Sequence, residues 1–295
     1  MTEHTKVTVI MSVRNGETYI GSSIDSIMKQ TYKNFEFFIT DDGSNDNTLS
    51  ILENYAKLYS QIRIFQNKIS LGLPGSLNMM AKHAKGKYLA RMDADDIAHK
   101  NRFERQVAFM DRFSDVDVCF ANVNYINEEE RIICTRWVPN SLDSILNQLP
   151  YINHFTHPTA MLRISSFMKI GGYNELFLIG QDLELWQRMV AQGMRLKIIR
   201  EVLLDYRLNK QGNSIKLSRS SMKSEAFFEA NLLIQNGYRY RALLLLHKMS
   251  LLEYFEFVVR FLLPRSLFFQ LIKIRARYSK NSPQQQLLKQ GSGNL

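Results

Sequence analysis

Three carboxylates stand within four positions in the stretch Arg91-Met92-Asp93-Ala94-Asp95-Asp96-Ile97, directly after an apolar segment at 87–90. Carboxylates crowded in this way repel one another unless a divalent cation lies between them. Mg²⁺ and Mn²⁺ prefer oxygen ligands, often one or two carboxylates together with phosphate oxygens. The stretch therefore predicts a site for a metal ion and a diphosphate. An isolated motif of this kind would more often be an acidic turn that caps the next helix, but the rest of the chain favours the metal site.

The elements that must position these carboxylates alternate along the first ninety residues. Short apolar runs predict strands, and apolar residues at helical spacing predict helices between them: strands at 7–13, 35–40, 62–66 and 87–92, and helices at 19–30, 48–59 and 76–84. This alternation predicts an α/β fold with a mainly parallel sheet flanked by helices. Ligands of such sheets bind at the carboxyl ends of strands. Both Asp41-Asp42 and the stretch 93–96 follow strand ends, so we expect them to share one cleft.

A second acidic position appears later in the chain. Gly171-Gly172-Tyr173, followed by the segment 181–190, predicts a turn and then a helix that carries Asp182 in its first turn. Taken alone, Asp182 would be an acid that complements the helix dipole. Its place after the glycine turn sets it apart from an ordinary first-turn acid.

The composition is that of an ordinary globular protein: 295 residues, with 45% hydrophobic and 22% charged residues. The length allows one large domain or two small ones. Two cysteines do not make a disulfide framework, so a reducing compartment fits. The first residues show no pattern of a secretion signal, and we expect a cytoplasmic location.

Positive charge is concentrated near the C-terminus. The segment 241–280 has eight Lys or Arg residues and two acidic ones, so it carries +6 of the net charge of +10. Its apolar runs are shorter than the roughly 18 residues of a membrane-spanning helix. They predict interfacial helices on an anionic membrane surface. A helical cap on the catalytic domain, or an oligomer contact, remains the alternative.

Taken together and in this order, the motifs between residues 7 and 210 resemble the family 2 glycosyltransferases of the bacterial surface-polysaccharide type. These are inverting enzymes of the GT-A fold, which is Rossmann-like, and they transfer a sugar from a nucleotide diphosphate donor. The resemblance implies a catalytic domain at 1–215. A helical, basic and amphipathic region at 216–280 and a disordered tail at 281–295 would follow it.

The resemblance also implies which residues bind the donor. Ser12 and Val13 would present backbone to the nucleobase, Asp42 would accept a hydrogen bond from uracil, and Asn67 would reach the base or the ribose. An Asx-turn at Asp42 and a turn role for Asn67 are the open alternatives. Arg207, in Asp205-Tyr206-Arg207, would contact the diphosphate.

The chemistry implied by the resemblance divides the acidic residues into two groups. Asp93 would belong to the ribose or metal shell, and Asp95 would bind Mn²⁺ or Mg²⁺ directly, which stabilises the leaving diphosphate. Asp182 stands in a Gln-Asp pair where the family usually shows Glu-Asp, and it would be the catalytic base that takes the proton of the acceptor hydroxyl. His157 is a further candidate pocket residue.

The sequence thus predicts an inverting transferase that acts on a UDP-sugar. The expected acceptor is a glycan or lipid-linked saccharide at the inner face of the cell membrane, where the protein would be peripheral. A nucleotidyltransferase is one alternative, but the loop 14–17 lacks the glycine-rich, basic character that its triphosphate would need. The other is a basic nucleic-acid-binding module, which the acidic cleft disfavours, so no nucleic-acid partner is expected.

Overall fold

The computed structural model describes residues 6–138, 141–149, 153–177 and 180–208. These residues belong to one compact unit. The predicted helical region at 216–280, the tail at 281–295 and the domain boundary at 215 lie outside the described residues, and they stay predictions.

The first half of the described chain confirms the predicted alternation of strands and helices. Strands β1 to β4 and helices α1 to α3 follow one another in the expected order: β1 Val7–Val13, α1 Ile20–Met28, β2 Phe35–Asp41, α2 Thr48–Leu58, β3 Ile62–Gln66, α3 Gly72–His83 and β4 Tyr88–Arg91. Most bounds agree with the predicted ones within two residues. The exception is α3, which begins four residues earlier than its apolar pattern indicated.

The second half holds elements of very different lengths, several of which the sequence pattern did not reveal. They are β5 Ile97–Ala98, α4 Arg102–Arg112, β6 Val118–Ile126, β7 Ile132–Arg136, α5 Leu142–Gln148, a 3₁₀ turn at His157–Thr159, β8 Met161–Arg163, α6 Ile164–Lys169, α7 Gln181–Ala191 and β9 Leu196–Arg207. The helix predicted around Asp182 is confirmed as α7.

The strands form one sheet in the order β3-β2-β1-β4-β8-β6-β9-β5, and β7 pairs with β6. The four strands from β3 to β4 run parallel. Beyond β4 the sheet is mixed, because β8 is antiparallel to both of its neighbours while β6 and β9 are parallel to each other. The predicted α/β class is confirmed, and the parallel half is the part that the sequence pattern described.

Aromatic packing fixes α7 against the sheet. Trp186 is fully buried, and its ring meets that of Phe120 on β6 edge to face at 4.8 Å between centroids. Phe120 also stacks on Phe155 at 4.4 Å. Buried aromatic residues of this size dominate core energetics, so this cluster sets the position of the first turn of α7, which carries Asp182.

None of the helices within the described ranges is long and apolar enough to cross a membrane.

Candidate functional site

The acidic stretch after β4 forms a compact cluster. One ligand atom from each of Asp93, Asp95 and Asp96 lies within 4.8 Å of the others. Burial, together with the charges of Asp95 and Asp93, raises the pKa of Asp96 well above its usual range. Its Oδ2 atom is buried and has no hydrogen-bond partner among the described residues. Crowded carboxylates with an unsatisfied oxygen fit a divalent cation with oxygen ligands, so the cluster suits the predicted Mn²⁺ or Mg²⁺.

Arg91, the last residue of β4, adds a positive charge to this cluster. Its side chain is 2% exposed and forms an ion pair with Oδ2 of Asp93. From the sequence, Arg91 could be either a phosphate-binding group or a structural ion-pair partner, and the structure shows the ion pair. Its strand, β4, lies between β1 and β8 in the sheet, and the acidic motif follows it directly in the chain.

Arg207, at the end of β9, holds the acidic loop from the other side. Its backbone N–H donates to Oδ1 of Asp96 at 2.9 Å, and its Nε donates to the carbonyl oxygen of Asp95 at 2.8 Å. The remaining guanidinium nitrogens donate to two carbonyl oxygens of the loop 127–128 and to Glu130. A contact between Arg207 and the diphosphate would require the guanidinium to give up such partners, and it stays a prediction.

Asp182 occupies a partly buried position in the first turn of α7, where Nδ2 of Asn153 donates to its Oδ2 atom at 2.6 Å. Burial raises the pKa of Asp182, although the Leu183 backbone N–H and the charge of Arg91 oppose the shift. Asn153 is the functional neighbour that the sequence did not reveal, because it lies between elements and outside any periodic pattern. Its Oδ1 accepts from the backbone N–H of Phe155 at 3.1 Å, which fixes the amide orientation.

His157 lies in the interior of the site and makes a hydrogen bond of 2.7 Å between its Nε2 and the hydroxyl group of Tyr173. Burial and the nearby charge of Arg91 lower the pKa of His157 well below its usual value. The imidazole is therefore neutral at physiological pH and cannot serve as a cation for phosphate. Tyr173 is in turn tied to α3, because its backbone N–H donates to Oδ1 of Asn78 at 2.9 Å.

Asp42 is a buried carboxylate that collects five hydrogen bonds from the loop after β3 and the start of α3. The donors and their distances are Asn67 Nδ2 at 2.7 Å, Ser70 Oγ at 2.7 Å, the backbone N–H groups of Leu71 at 2.9 Å and Gly72 at 3.0 Å, and Ser76 Oγ at 3.0 Å. Burial would raise the pKa of Asp42, but these bonds outweigh it and lower the pKa. The carboxylate satisfies backbone N–H groups at the start of α3, which explains the early beginning of that helix.

The turn after β2 is formed by the other aspartate of the pair. Oδ1 of Asp41 accepts from the backbone N–H of Ser44 at 3.2 Å. The local turn considered for Asp42 therefore belongs to Asp41, and Asp42 makes long-range contacts instead. Its predicted contact with uracil stays a prediction.

Ser12 and Val13 end β1 at the same edge of the sheet. They pair in register with Thr40 and Asp41 of β2, and the carbonyl oxygen of Val13 accepts from the N–H of Asp42 at 2.8 Å. The residues predicted to face the nucleobase, including Asn67, are thus brought together at the carboxyl ends of β1, β2 and β3.

Comparison with known proteins defines the class of protein. The sequence profile of the family described as glycosyl transferase family 2 matches residues 8–171. EpsE of Bacillus subtilis is 34% identical over 72% of this chain and 75% of its own length. The O-antigen biosynthesis glycosyltransferase WbnJ of Escherichia coli is 32% identical over 70% of this chain and 80% of the relative. A UDP-Gal:alpha-D-GlcNAc-diphosphoundecaprenol beta-1,3-galactosyltransferase of Escherichia coli is 28% identical over 77% of this chain and 84% of its own length.

Solved structures show the same fold. TarS of S. aureus, residues 1–349 with UDP-GlcNAc, superposes with a TM-score of 0.59 at 19% identity and covers 87% of this chain and 80% of its own. The mannosyltransferase PcManGT of Pyrobaculum calidifontis, with GDP-Man and Mn²⁺, has a TM-score of 0.58 at 15% identity. The match covers 97% of this chain and 84% of PcManGT. The predicted GT-A architecture is confirmed.

The chain belongs to glycosyltransferase family 2, as its motifs predicted, and it is a sugar-transferring enzyme. This result replaces the nucleotidyltransferase and the nucleic-acid-binding module that the sequence left as alternatives.

Proposed function

We propose that this protein is a metal-dependent, inverting glycosyltransferase that uses a UDP-sugar to build a surface polysaccharide. The observation that carries the proposal is that Arg91 pairs with one acidic site and its charge reaches a second one. The carboxylate cluster 93–96 touches Arg91 through Asp93, and the charge of Arg91 also acts on Asp182. A metal–diphosphate site beside a separate, partly buried carboxylate is what an inverting displacement needs.

Asp182 is the proposed catalytic base. Asn153 orients the carboxylate through Oδ2, and the carboxylate would accept the proton of the acceptor hydroxyl as that hydroxyl attacks the anomeric carbon. Burial raises the pKa of Asp182, which makes it a stronger base than an exposed aspartate once it is ionised.

Asp95 and Asp93 would hold Mn²⁺ or Mg²⁺, and Asp96 supports them from the buried side. A divalent ion bound there would supply Lewis-acid stabilisation of the negative charge on the leaving diphosphate. The protein's own contribution is to fix the loop, which Arg207 does through its contacts with Asp95 and Asp96.

Ser12, Val13, Asp42 and Asn67 are the proposed nucleotide-binding residues. Their position at the carboxyl ends of neighbouring parallel strands supports this assignment. The TarS structure with UDP-GlcNAc and the name of the UDP-Gal-dependent relative support a UDP-sugar as donor.

The proposed acceptor is a glycan or lipid-linked saccharide. The relative named for a diphosphoundecaprenol acceptor supports this choice, and so does the +6 charge of the segment 241–280. The protein would then be peripheral at the inner face of the cell membrane. Full-length protein should co-sediment with anionic liposomes at low salt, and a chain ending near residue 209 or 236 should not. Full-length protein that stays in the supernatant would remove the membrane from the proposal.

The central experiment is a thermal-shift screen of nucleotide sugars with Mn²⁺, followed by a transfer assay with the donor that stabilises the protein most. Asp182→Asn should then retain donor binding and lose about 10² to 10⁴ in the transfer rate. Transfer at the wild-type rate would place the base elsewhere, and no stabilisation by any nucleotide sugar would contradict the proposed function.

A further inference from the structure

Arg91 is a buried cation in direct contact with a proposed metal ligand, and its backbone is held rigidly. Its N–H donates to the carbonyl oxygen of Ala160 at 2.9 Å. Its own carbonyl oxygen accepts from Nη2 of Arg102 at 2.7 Å. These bonds to two other segments prevent Arg91 from moving away as a whole, so any change in its pairing must be made by the side chain.

The guanidinium of Arg91 is incompletely satisfied. Nη1 forms the ion pair with Asp93, yet Nε is buried and has no hydrogen-bond partner among the described residues. A buried donor without an acceptor costs about 1 to 3 kcal/mol, and more when it is charged. Such groups are few in native proteins, and a bound ion or a role in catalysis is among the explanations for them.

The surroundings of Arg91 offer it another anionic partner. Its charge acts on Asp182 and on Asp96 as well as on Asp93. His157 and Tyr173, which also lie close to it, are neutral groups tied to each other, and the buried Arg102 adds a second positive charge nearby. Arg91 thus pairs with the metal cluster through Asp93, and it lies close enough to Asp182 for its charge to act on the proposed base.

We propose that Arg91 is the internal counter-cation of the carboxylate cluster 93–96. It pairs with Asp93 when no metal is bound, and it makes metal binding depend on the nucleotide diphosphate. This inference rests on the proposed function, because the diphosphate is the anion that it requires.

The physical reason is competition for one carboxylate. A divalent ion that binds Asp93 must displace or share the guanidinium, and it is repelled by the positive charge of Arg91 at close range. The negative charge of the diphosphate attracts both the divalent ion and the guanidinium of Arg91, and it thereby offsets the repulsion between them. Metal and diphosphate therefore bind with positive coupling, which is reciprocal: each raises the affinity of the other by the same factor.

Calorimetric titration with Mn²⁺ alone, and with Mn²⁺ in the presence of UDP, tests the inference. Arg91→Gln removes the charge, and it should bind Mn²⁺ alone about tenfold more tightly than the wild type, the least effect expected for a unit charge beside a divalent ion. The factor by which UDP tightens Mn²⁺ binding should fall correspondingly. Arg91→Lys retains the charge and should keep most of that factor.

The matched control is Arg105→Gln, which removes a positive charge from an exposed pair with Glu201. It should leave the Mn²⁺ affinity unchanged, because exposed charges are screened. A folded Arg91→Gln variant with unchanged or weaker Mn²⁺ affinity would overturn the inference.

A measurement on the wild-type protein covers the case in which Arg91→Gln does not fold. The Nε–Hε signal of Arg91 in protein labelled with ¹⁵N-arginine, assigned by its loss in Arg91→Lys, should shift when Mg²⁺ and UDP bind together. An unshifted signal at saturating Mg²⁺ and UDP would show that the pair with Asp93 persists, and the inference would fall. Neither experiment needs a donor sugar or transfer, so failure of the inference is distinguishable from failure of the proposed function.

Discussion

The side-chain amide of Asn153 donates a hydrogen bond of 2.6 Å to Oδ2 of Asp182, across 29 positions of sequence. The amide is itself oriented by the backbone N–H of Phe155. A donor placed on the ionised carboxylate favours the charged form. Asn153 therefore lowers the pKa of Asp182, whereas burial raises it. The hydrogen bond also fixes the orientation of the carboxylate.

Asn153→Ala should lower the rate of sugar transfer and change its dependence on pH. Without the donor, the pKa of Asp182 rises further, and because the base must be ionised, the acidic limb of the kcat profile should move to higher pH. The lost hydrogen bond to a charged group corresponds to a drop in kcat of about tenfold or more. The measurement is kcat and KM for the transfer reaction as a function of pH.

Asn47→Ala is the control for this prediction, because the Asn47 amide binds Glu17 and has no contact with Asp182. It should leave the profile unchanged. An Asn153→Ala profile that coincides with that of the wild type would show that Asn153 does not position the base.

Asp95→Asn should preserve the fold and greatly weaken metal-dependent UDP binding. The change removes a ligand charge from a cluster whose three carboxylates lie within 4.8 Å of one another. Calorimetry with UDP and Mn²⁺ measures the effect, with the exposed Asp143→Asn as the control. Unchanged Mn²⁺-dependent affinity for UDP would remove Asp95 from the metal shell.

Arg207→Lys should lower the free energy of unfolding by about 2 to 4 kcal/mol, because lysine keeps the charge but cannot form the several bonds of the buried guanidinium. Metal-dependent UDP binding should weaken as well, since the acidic loop loses its support from β9. Urea unfolding and calorimetry separate the two effects. If stability is unchanged while UDP affinity falls, Arg207 contacts the diphosphate directly, as its motif predicted.

Asp42→Asn should destabilise the protein by about 1 to 3 kcal/mol at pH 7, because an amide cannot accept all five hydrogen bonds of this carboxylate. The folded-state pKa of Asp42 is lowered. Its contribution to stability is therefore fully present above its unfolded value of about 3.9 and is lost as the pH falls through the folded value. Urea unfolding of both proteins between pH 7 and pH 3 should show that the difference shrinks at acid pH. A constant difference would assign the loss to packing.

Much of the fold followed from local pattern. The strands β1 to β4 and the helices between them were predicted because apolar periodicity reports burial within one element. The shorter elements β5, β7, α5 and α6 were missed, since a few residues cannot establish a period. The long strand β9 was missed as well. The early start of α3 was missed for another reason: its first N–H groups are satisfied by Asp42, which lies 30 residues away.

The sequence by itself determined the family, the class of fold and the acidic residues available for metal binding and proton transfer, because each depends on residue type and order along the chain. Only the tertiary structure decided how these residues are paired. It shows a hydrogen bond from Asn153 to Asp182 and an ion pair between Arg91 and Asp93. It also shows a hydrogen bond from the guanidinium of Arg207 to the carbonyl oxygen of Asp95 in the acidic loop. Such pairings depend on which strand ends meet at the sheet edge and on how burial changes the pKa of each group. Local periodicity of the sequence encodes neither of them.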